Sequence, residues 1–190
     1  MNYCSHCAHP LSLRIPEGDN LPRYICDDCH TIHYQNPKVI AGCLPVWKNS
    51  ESGNAQVLLC RRAIEPRHGL WTLPAGFMEN AETLEQAAER ESIEEANANI
   101  EKLQLYTLIS LPHINQIYIL YLARLRDKKF HPGIESLEVK LFNEEEIPWD
   151  RLAFHTIHFT LEKYFQDRKN NHFPVYTHTI TTRNGKSADQ

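Results

Sequence analysis

Four cysteines in two tight pairs, Cys4-x2-Cys7 and Cys26-x2-Cys29, constrain the start of this chain more than any other feature. Each pair can present two thiolates from one turn. The eighteen residues between the pairs match the spacing of a four-thiolate zinc ribbon. The intervening segment is rich in turn formers (His9-Pro10, Pro16-Glu17-Gly18-Asp19-Asn20) and poor in apolar residues. About thirty residues of that kind cannot bury enough surface to offset chain entropy, so bound Zn²⁺ would supply folding free energy directly. A disulfide pair or a redox Cys-x-x-Cys is the alternative. The opening Met1-Asn2-Tyr3-Cys4 has neither a basic nor an apolar leader segment, which predicts a cytoplasmic location and reduced thiols. Four thiolates leave no open position, so the zinc is expected to be structural. His6, His9, His30 and His33 surround the cluster and are read as bystanders or hydrogen-bond donors to the ligands. Cys43 and Cys60 sit in apolar stretches and read as buried strand thiols.

With 190 residues, the chain has room for one domain besides this small one. The boundaries expected are a ribbon over 1–35, a second domain over 36–168 and a C-terminal arm and tail over 169–190. Twenty Lys and Arg against 24 Asp and Glu leave a net charge of −4. General nucleic-acid binding needs clustered basic residues and is not expected. The ribbon's own charges, Arg14, Glu17, Asp19, Arg23, Asp27 and Asp28, make no basic face. The longest apolar runs, Val39–Trp47 and Ile117–Ala123, are too short to span a membrane.

Strands are expected at Val39–Val46, Gln56–Cys60, Leu103–Leu111, Gln116–Arg124 and Val139–Phe142, with a hairpin-type loop from Lys48 to Asn54. A first helix is expected over Glu82–Ala96 with Asn80 as N-cap, and a second from about Asp150 to Phe165 with Asp150 as cap. The second would bury Ala153, Ile157, Leu161 and Tyr164. After it comes a polar segment with one β-like run, Val175–Ile180, then a frayed tail from Asn184. The first helix carries the chemistry. Its apolar stripe, Leu84, Ala87 and Ala88, continues by +3 and +4 into Glu91 and Glu95. Carboxylates on a buried stripe are costly unless paired. Arg90 alone cannot neutralise Glu91, Glu94 and Glu95, whereas Mg²⁺ or Mn²⁺ takes oxygen ligands of this kind. A solvated acidic face is the alternative, and these residues alone do not decide between the two.

The wider context decides it. Gly76, five residues, Glu82, seven residues, then Arg90-Glu91-x-x-Glu94-Glu95 resembles the signature of the Nudix hydrolases. Two departures stand out: Ser92 where an apolar residue is commoner, and Asn97 where Gly usually follows. Asn is the second choice to Gly for a helix end with positive φ. A zinc ribbon, Tyr34-Gln35-Asn36-Pro37-Lys38 and then this box are similar to the NADH pyrophosphatase branch. Closer still are the ADP-ribose/FAD pyrophosphatases of plant chloroplasts and their bacterial relatives, through the segments YQNPKVIAGCL, HGLWTLPAGFME, QIYILYLARL, PGIESLEVKLF and EIPWDRLAFHTI. The NADH enzymes carry Ser-Gln-Pro-Trp shortly after the box. Here Ser110-Leu111-Pro112-His113 lacks the Gln and the Trp.

The resemblance implies an α+β fold, an α/β/α sandwich on a mixed sheet, behind the ribbon. It implies Mg²⁺- or Mn²⁺-dependent hydrolysis of ADP-ribose or FAD to release AMP. The alternatives are NADH or NAD-capped RNA, or a non-catalytic nucleotide sensor. Glu91, Glu94, Glu95 and the Ala75 carbonyl would hold the metal, and Arg90 would orient the glutamates. A further carboxylate from a later loop is expected to be Glu135 in preference to Glu138, because Pro132-Gly133 exposes it. Glu144–Glu146 read as a solvated loop. Phe77 is a candidate to stack on adenine, with core packing as its alternative. Tyr34 is a candidate substrate contact beside the ribbon. Arg61, Arg62, Arg67 and His68 form a basic cluster from which Arg62 is a candidate phosphate ligand. A homodimer is implied by the resemblance alone.

Overall fold

The computed structural model describes residues 1–48 and 55–181. The loop expected between Lys48 and Ala55 and the tail expected from Asn184 lie outside the described residues. The chain divides into a unit of residues Met1–Pro37 and a unit that begins at Lys38.

In the first unit β1 (Leu11–Arg14), β2 (Arg23–Cys26) and β3 (Ile32–His33) form an antiparallel sheet in that order. Only Cys4, Ile25 and Cys26 are buried among its apolar residues. Two of those three are thiols, so almost nothing but the cysteine cluster is available as a core. Each Cys pair is followed by a residue of positive φ, Ala8 at 63° and His30 at 58°. These left-handed residues turn the chain back after each pair. The His6 and Cys29 amides donate to the Cys4 and Cys26 sulfurs at 3.4 and 3.5 Å.

The second unit comprises β4 (Lys38–Lys48), β5 (Ala55–Arg62), β6 (Trp71–Thr72), β7 (Ala75–Phe77), α1 (Leu84–Ala96), β8 (Ile100–Leu111), β9 (Gln116–Leu125), β10 (Ser136–Phe142), α2 (His155–Arg168) and β11 (Tyr176–Thr179). The sheet runs β10-β5-β4-β9-β8-β11, with β6 on β5 and β7 on β4. It is mixed: β4/β9 and β8/β11 are parallel and the other pairs antiparallel. Strand alternation sorts the apolar residues onto two faces. Cys43, Leu58, Cys60 and Tyr121 face the layer that holds Ala88 and Ala96 of α1. Leu44, Val57, Leu59 and Leu120 face Ile157, Leu161 and Tyr164 of α2. The result is the α/β/α sandwich that the resemblance implied, and both strand thiols are fully buried.

Both helix starts differ from the expectation. α1 is capped by Thr83, not Asn80: its hydroxyl accepts from the Gln86 amide while the Gln86 side chain accepts from the Thr83 amide. This is a reciprocal capping box, and it frees Glu82 to accept from the Glu79 amide instead. α2 starts at His155, not near Asp150. Leu152 bridges Trp71, and the Ala153 amide donates to the Trp71 carbonyl at 2.8 Å. Around Asp150 the chain makes only a 3₁₀ turn, Trp149–Arg151, and the extended Leu152 separates that turn from α2. At the other end, β11 adds to β8 from Tyr176↔Thr107 to Thr179↔Ser110, so the C-terminal segment completes a sheet edge.

The opening in the sheet positions the site. β4 pairs with β5 only at Val46–Lys48, while at Ile40–Gly42 its partner is β7. The two long strands therefore splay, and the β6–β7 segment fills the gap in front of α1.

Candidate active site

The buried face of α1 is Ala87, Ala88, Glu91, Ser92, Glu95 and Ala96. Glu91 and Glu95 are 8% and 6% exposed, so the apolar stripe does run into two buried carboxylates. Arg90 spends its guanidinium on their surroundings. It donates to Glu82 at 2.9 and 3.1 Å, Glu91 at 2.6 Å, Glu94 at 2.9 Å and the Phe77 carbonyl at 3.1 Å. Glu95 receives none of these bonds. Burial, and then the neighbouring Glu91 charge, push its carboxyl up to about 8, against a smaller opposing pull from Arg62 and the Ala75 backbone. Burial also raises Glu91. Gly76 lies so close that a Cβ there would collide with the Glu91 carboxylate.

The two departures in the box have local explanations. Ser92 is fully buried and donates to the Ala98 carbonyl at 3.0 Å, so its hydroxyl is satisfied. Asn97 adopts φ 47°, ψ 32°, and its side chain donates to the His131 carbonyl at 3.2 Å, a bond Gly cannot make. With Asn97 left-handed and its amide on the Ile93 carbonyl, the helix ends in an αL motif, to which the Ala98 amide adds a bond to the Ser92 carbonyl.

The 131–135 loop docks on that helix end. The His131 amide donates to the Ala96 carbonyl and the Gly133 amide to the Glu95 carbonyl, both at 3.0 Å. A Cβ on Gly133 would overlap the Glu94 carbonyl oxygen. Gly133→Ala is therefore expected to cost about 2–4 kcal/mol of stability, by displacing the loop or the helix end; chemical denaturation measures it, and a cost below about 0.5 kcal/mol would mean the contact relaxes freely. The loop carries Glu135, which lies near enough to Glu91 and Glu95 to raise both carboxyls. Glu138 is held elsewhere, on Arg61 at 3.5 Å.

These carboxylates line one wall of a cleft of about 1590 Å³. Glu91, Glu94, Glu95, Glu135, Phe77 and Arg62 all face it. Phe77 is 51% exposed, not packed in the core, and the Lys38 ammonium sits 5.0 Å from its ring centroid. Of the basic cluster, Arg62 and Arg67 reach the cleft; Arg61 turns to Glu138 and the Gly69 carbonyl. Tyr34 belongs to the first unit, where its exposed ring lies under the Arg23 guanidinium at 5.1 Å. The Glu144–Glu146 run is a short 3₁₀ turn, tied down by Glu144 on Arg168 at 2.6 Å and by Glu146 on the Asn143 amide at 2.9 Å.

Sequence reasoning missed Tyr118 and Thr156, both of which line the cleft. Tyr118 was within reach of a pairing argument. It stands across β4 from Phe77 in the register Phe77↔Ile40↔Tyr118, and cross-strand neighbours share a face. No sequence pattern marks Thr156.

In the first unit the sulfurs of Cys4, Cys7, Cys26 and Cys29 lie within 4.8 Å of one another, a grouping that suits a metal ion. None is in a disulfide. The Thr31 hydroxyl and amide hold the Cys29 thiol down at about 6, which favours the thiolate. The His33 ring contacts the Cys4 sulfur at 3.3 Å, and His9 pairs with Asp28.

Residues 37–177 match the family model of the NUDIX domain. The chain belongs to the Nudix family. Residues 2–35 match the zinc-ribbon model described as Nudix N-terminal. An NAD-capped RNA hydrolase NudC of Salmonella heidelberg is 31% identical over 148 residues, 77% of this chain and 53% of the relative. Its counterpart in Edwardsiella ictaluri is 32% identical over 121 residues, 64% of this chain and 43% of the relative. The chain thus spans about half the length of these relatives. A NUDIX hydrolase from Nitrosomonas europaea, known from its crystal structure, is 56% identical with a TM-score of 0.89, covering 96% of this chain and 100% of that one. The NUDIX domain of Shewanella oneidensis NrtR, solved with ADP ribose, shares the fold at 20% identity and a TM-score of 0.61, over 73% of this chain and 90% of that one. Among the described residues of this Nudix chain, no helix is long and apolar enough to cross a membrane.

Proposed function

We propose that this chain hydrolyses the pyrophosphate bond of a substrate with an adenosine diphosphate half, releasing AMP, with Mg²⁺ or Mn²⁺ held on the α1 wall of the cleft. One observation carries the reading: Glu95 is buried beside Glu91, and Arg90 is already committed elsewhere. A hard divalent cation fits that wall. The donors Glu91, Glu94, Glu95 and the Ala75 carbonyl are all oxygens, and the missing side chain at Gly76 lets the Glu91 carboxylate lie against that stretch of backbone. Bound there, the cation offsets the charge of the pyrophosphate and makes a water more acidic near neutral pH.

The chain's own groups do the rest. Arg90 positions Glu91 and Glu94 with charge-assisted hydrogen bonds, and its five N–H donors are all engaged, none left for a substrate. Glu135, exposed on its anchored loop, accepts a proton from the attacking water in this reading. Phe77 stacks on the adenine and Arg62 meets a phosphate. Tyr34 stays a proposed substrate contact, and the homodimer a proposed assembly, on the resemblance alone. In the ribbon the four cysteines hold a structural Zn²⁺.

Within this chemistry, a substrate of the NAD type takes precedence over ADP-ribose and FAD, because the relatives are named for action on NAD-capped RNA. An RNA 5′ end joined to NAD then belongs among the substrates, recognised through its cap, since the net charge of −4 suits no long polynucleotide. A second reading, ADP-ribose or FAD, is favoured by one feature. The cleft wall at Leu111 and His113 lacks the Gln and Trp of the NADH enzymes. Initial rates of AMP release from NADH, ADP-ribose and FAD, with Mg²⁺ and with Mn²⁺, separate the two. A kcat/KM for NADH about tenfold or more above the others supports the first reading. The reverse order supports the second, and no AMP from any of them refutes the pyrophosphatase.

A further inference from the structure

The wall of the cleft formed by α2 carries an uncapped helix start. α2 is fourteen residues long, and Phe154 at its N-cap offers no side-chain acceptor. The Ile157 and His158 amides both return to the Phe154 carbonyl, while among the described residues the His155 and Thr156 amides meet no backbone acceptor. Thr156 is 1% exposed, and its Oγ1 has no hydrogen-bond partner among the described residues. His155 and Thr156 both line the cleft that Glu91 and Glu95 line. The Arg62 guanidinium stands 5.3 Å from the Phe154 ring centroid, with its Nε on the Pro66 carbonyl. That leaves its two terminal nitrogens with no partner among the described residues. Arg62 also lies close enough to Glu95 to pull its carboxyl down.

Free amides at a helix start, the positive end of the helix dipole and a guanidinium together suit an anion. A buried hydroxyl with no partner costs stability and points to a group that completes it. Threonine in a helix has two accessible χ1 wells, so Oγ1 can turn toward a bound oxygen. We propose that the N-terminal turn of α2, with Thr156 and Arg62, is a phosphate subsite. It takes the substrate's second phosphate, the one not held against the α1 carboxylates, so that the substrate itself caps α2. The ligand class is a nucleoside diphosphate or its ester, in preference to a monophosphate. The proposal rests on the pyrophosphatase reading, because it assigns the two phosphates of one substrate to the two walls.

The test is Thr156→Val, which keeps the side chain's shape and removes only the hydroxyl. ADP and AMP binding, measured by calorimetry on the full chain with Mg²⁺, are the probes. The expected result is a loss of about tenfold or more in ADP affinity, AMP affinity within about twofold, and a Tm of the ligand-free protein unchanged or raised. Thr156→Ser, which restores the hydroxyl, should bind ADP as the wild type does. Equal weakening of ADP and AMP, no change in either, or a Tm several degrees lower with wild-type ADP affinity in the Val variant would overturn the subsite. Binding is read without turnover. A wild type that hydrolyses nothing, yet shows the Thr156-dependent preference for ADP, would sink the enzyme reading and leave the subsite standing; active enzyme without that preference would do the opposite.

Discussion

Glu95→Gln is expected to lower kcat/KM by about a thousandfold or more while making the metal-free protein more stable. The first effect follows from losing a negative ligand at the centre of the proposed metal wall. The second follows from the folded state itself. The Glu95 carboxyl stands at about 8 in the folded protein against an ordinary 4.5, chiefly because it is buried. Its folded value is raised, so the unfolded chain releases the proton first. The metal-free protein is then most stable below about pH 4.5 with respect to this group, and loses stability as pH rises towards 8. The loss at pH 7 is on the order of 3 kcal/mol, or about 5 °C or more in Tm. Glu91 is shifted the same way and adds to the trend. The Gln variant should flatten much of that slope, and Mg²⁺ added to the wild type at pH 8 should recover the lost stability. A variant with near-wild-type turnover at saturating Mg²⁺ would remove Glu95 from the metal site, and a wild type whose Tm is flat from pH 5 to 8 without metal would show that burial does not raise its carboxyl.

Removal of zinc is expected to unfold residues 1–37 and leave the unit from Lys38 folded. Only Cys4, Ile25 and Cys26 are buried among the apolar residues of the first unit, far too little to offset its chain entropy. Four sulfurs within 4.8 Å of one another make up the difference only when a cation joins them. Hydrogen exchange with and without a strong chelator would show amides of β1–β3 losing protection while β4, β8 and β9 keep theirs. Cys26→Ser should do the same without a chelator, because one neutral hydroxyl replaces a buried thiolate ligand. A purified chain that holds no zinc and yet protects residues 1–37 would rule out the ribbon as a metal-stapled domain.

Much of this was written in local patterns. Ribbon spacing, the two-faced strands and the stripe from Leu84 to Glu95 each follow from a period of the backbone, and a period is visible in one dimension. Even the placement of Ser92 and Asn97, which broke the expected motif, obeyed local rules: a buried hydroxyl finds a carbonyl, and a left-handed residue ends a helix. The Thr-x-x-Gln of the capping box at Thr83 and Gln86 is legible in the sequence too.

Only the tertiary structure could show where that local order gives way. α2 starts late because Leu152 and Ala153 are held extended against Trp71, a partner some eighty residues earlier. Glu135 joins Glu91 and Glu95 because Gly133 seats its loop on the end of α1, where no other residue fits without displacement. Glu138, three residues on, is diverted to Arg61 across the β5–β10 pair. Thr156 carries no sequence signal at all, since an unpaired hydroxyl is defined by neighbours that are absent. Local spacings and the backbone periods of strand and helix were determined by the sequence alone. Contacts between carboxylates, loops and helix ends far apart in the chain depend on how the sheet splays at β4, and that was decided only by folding.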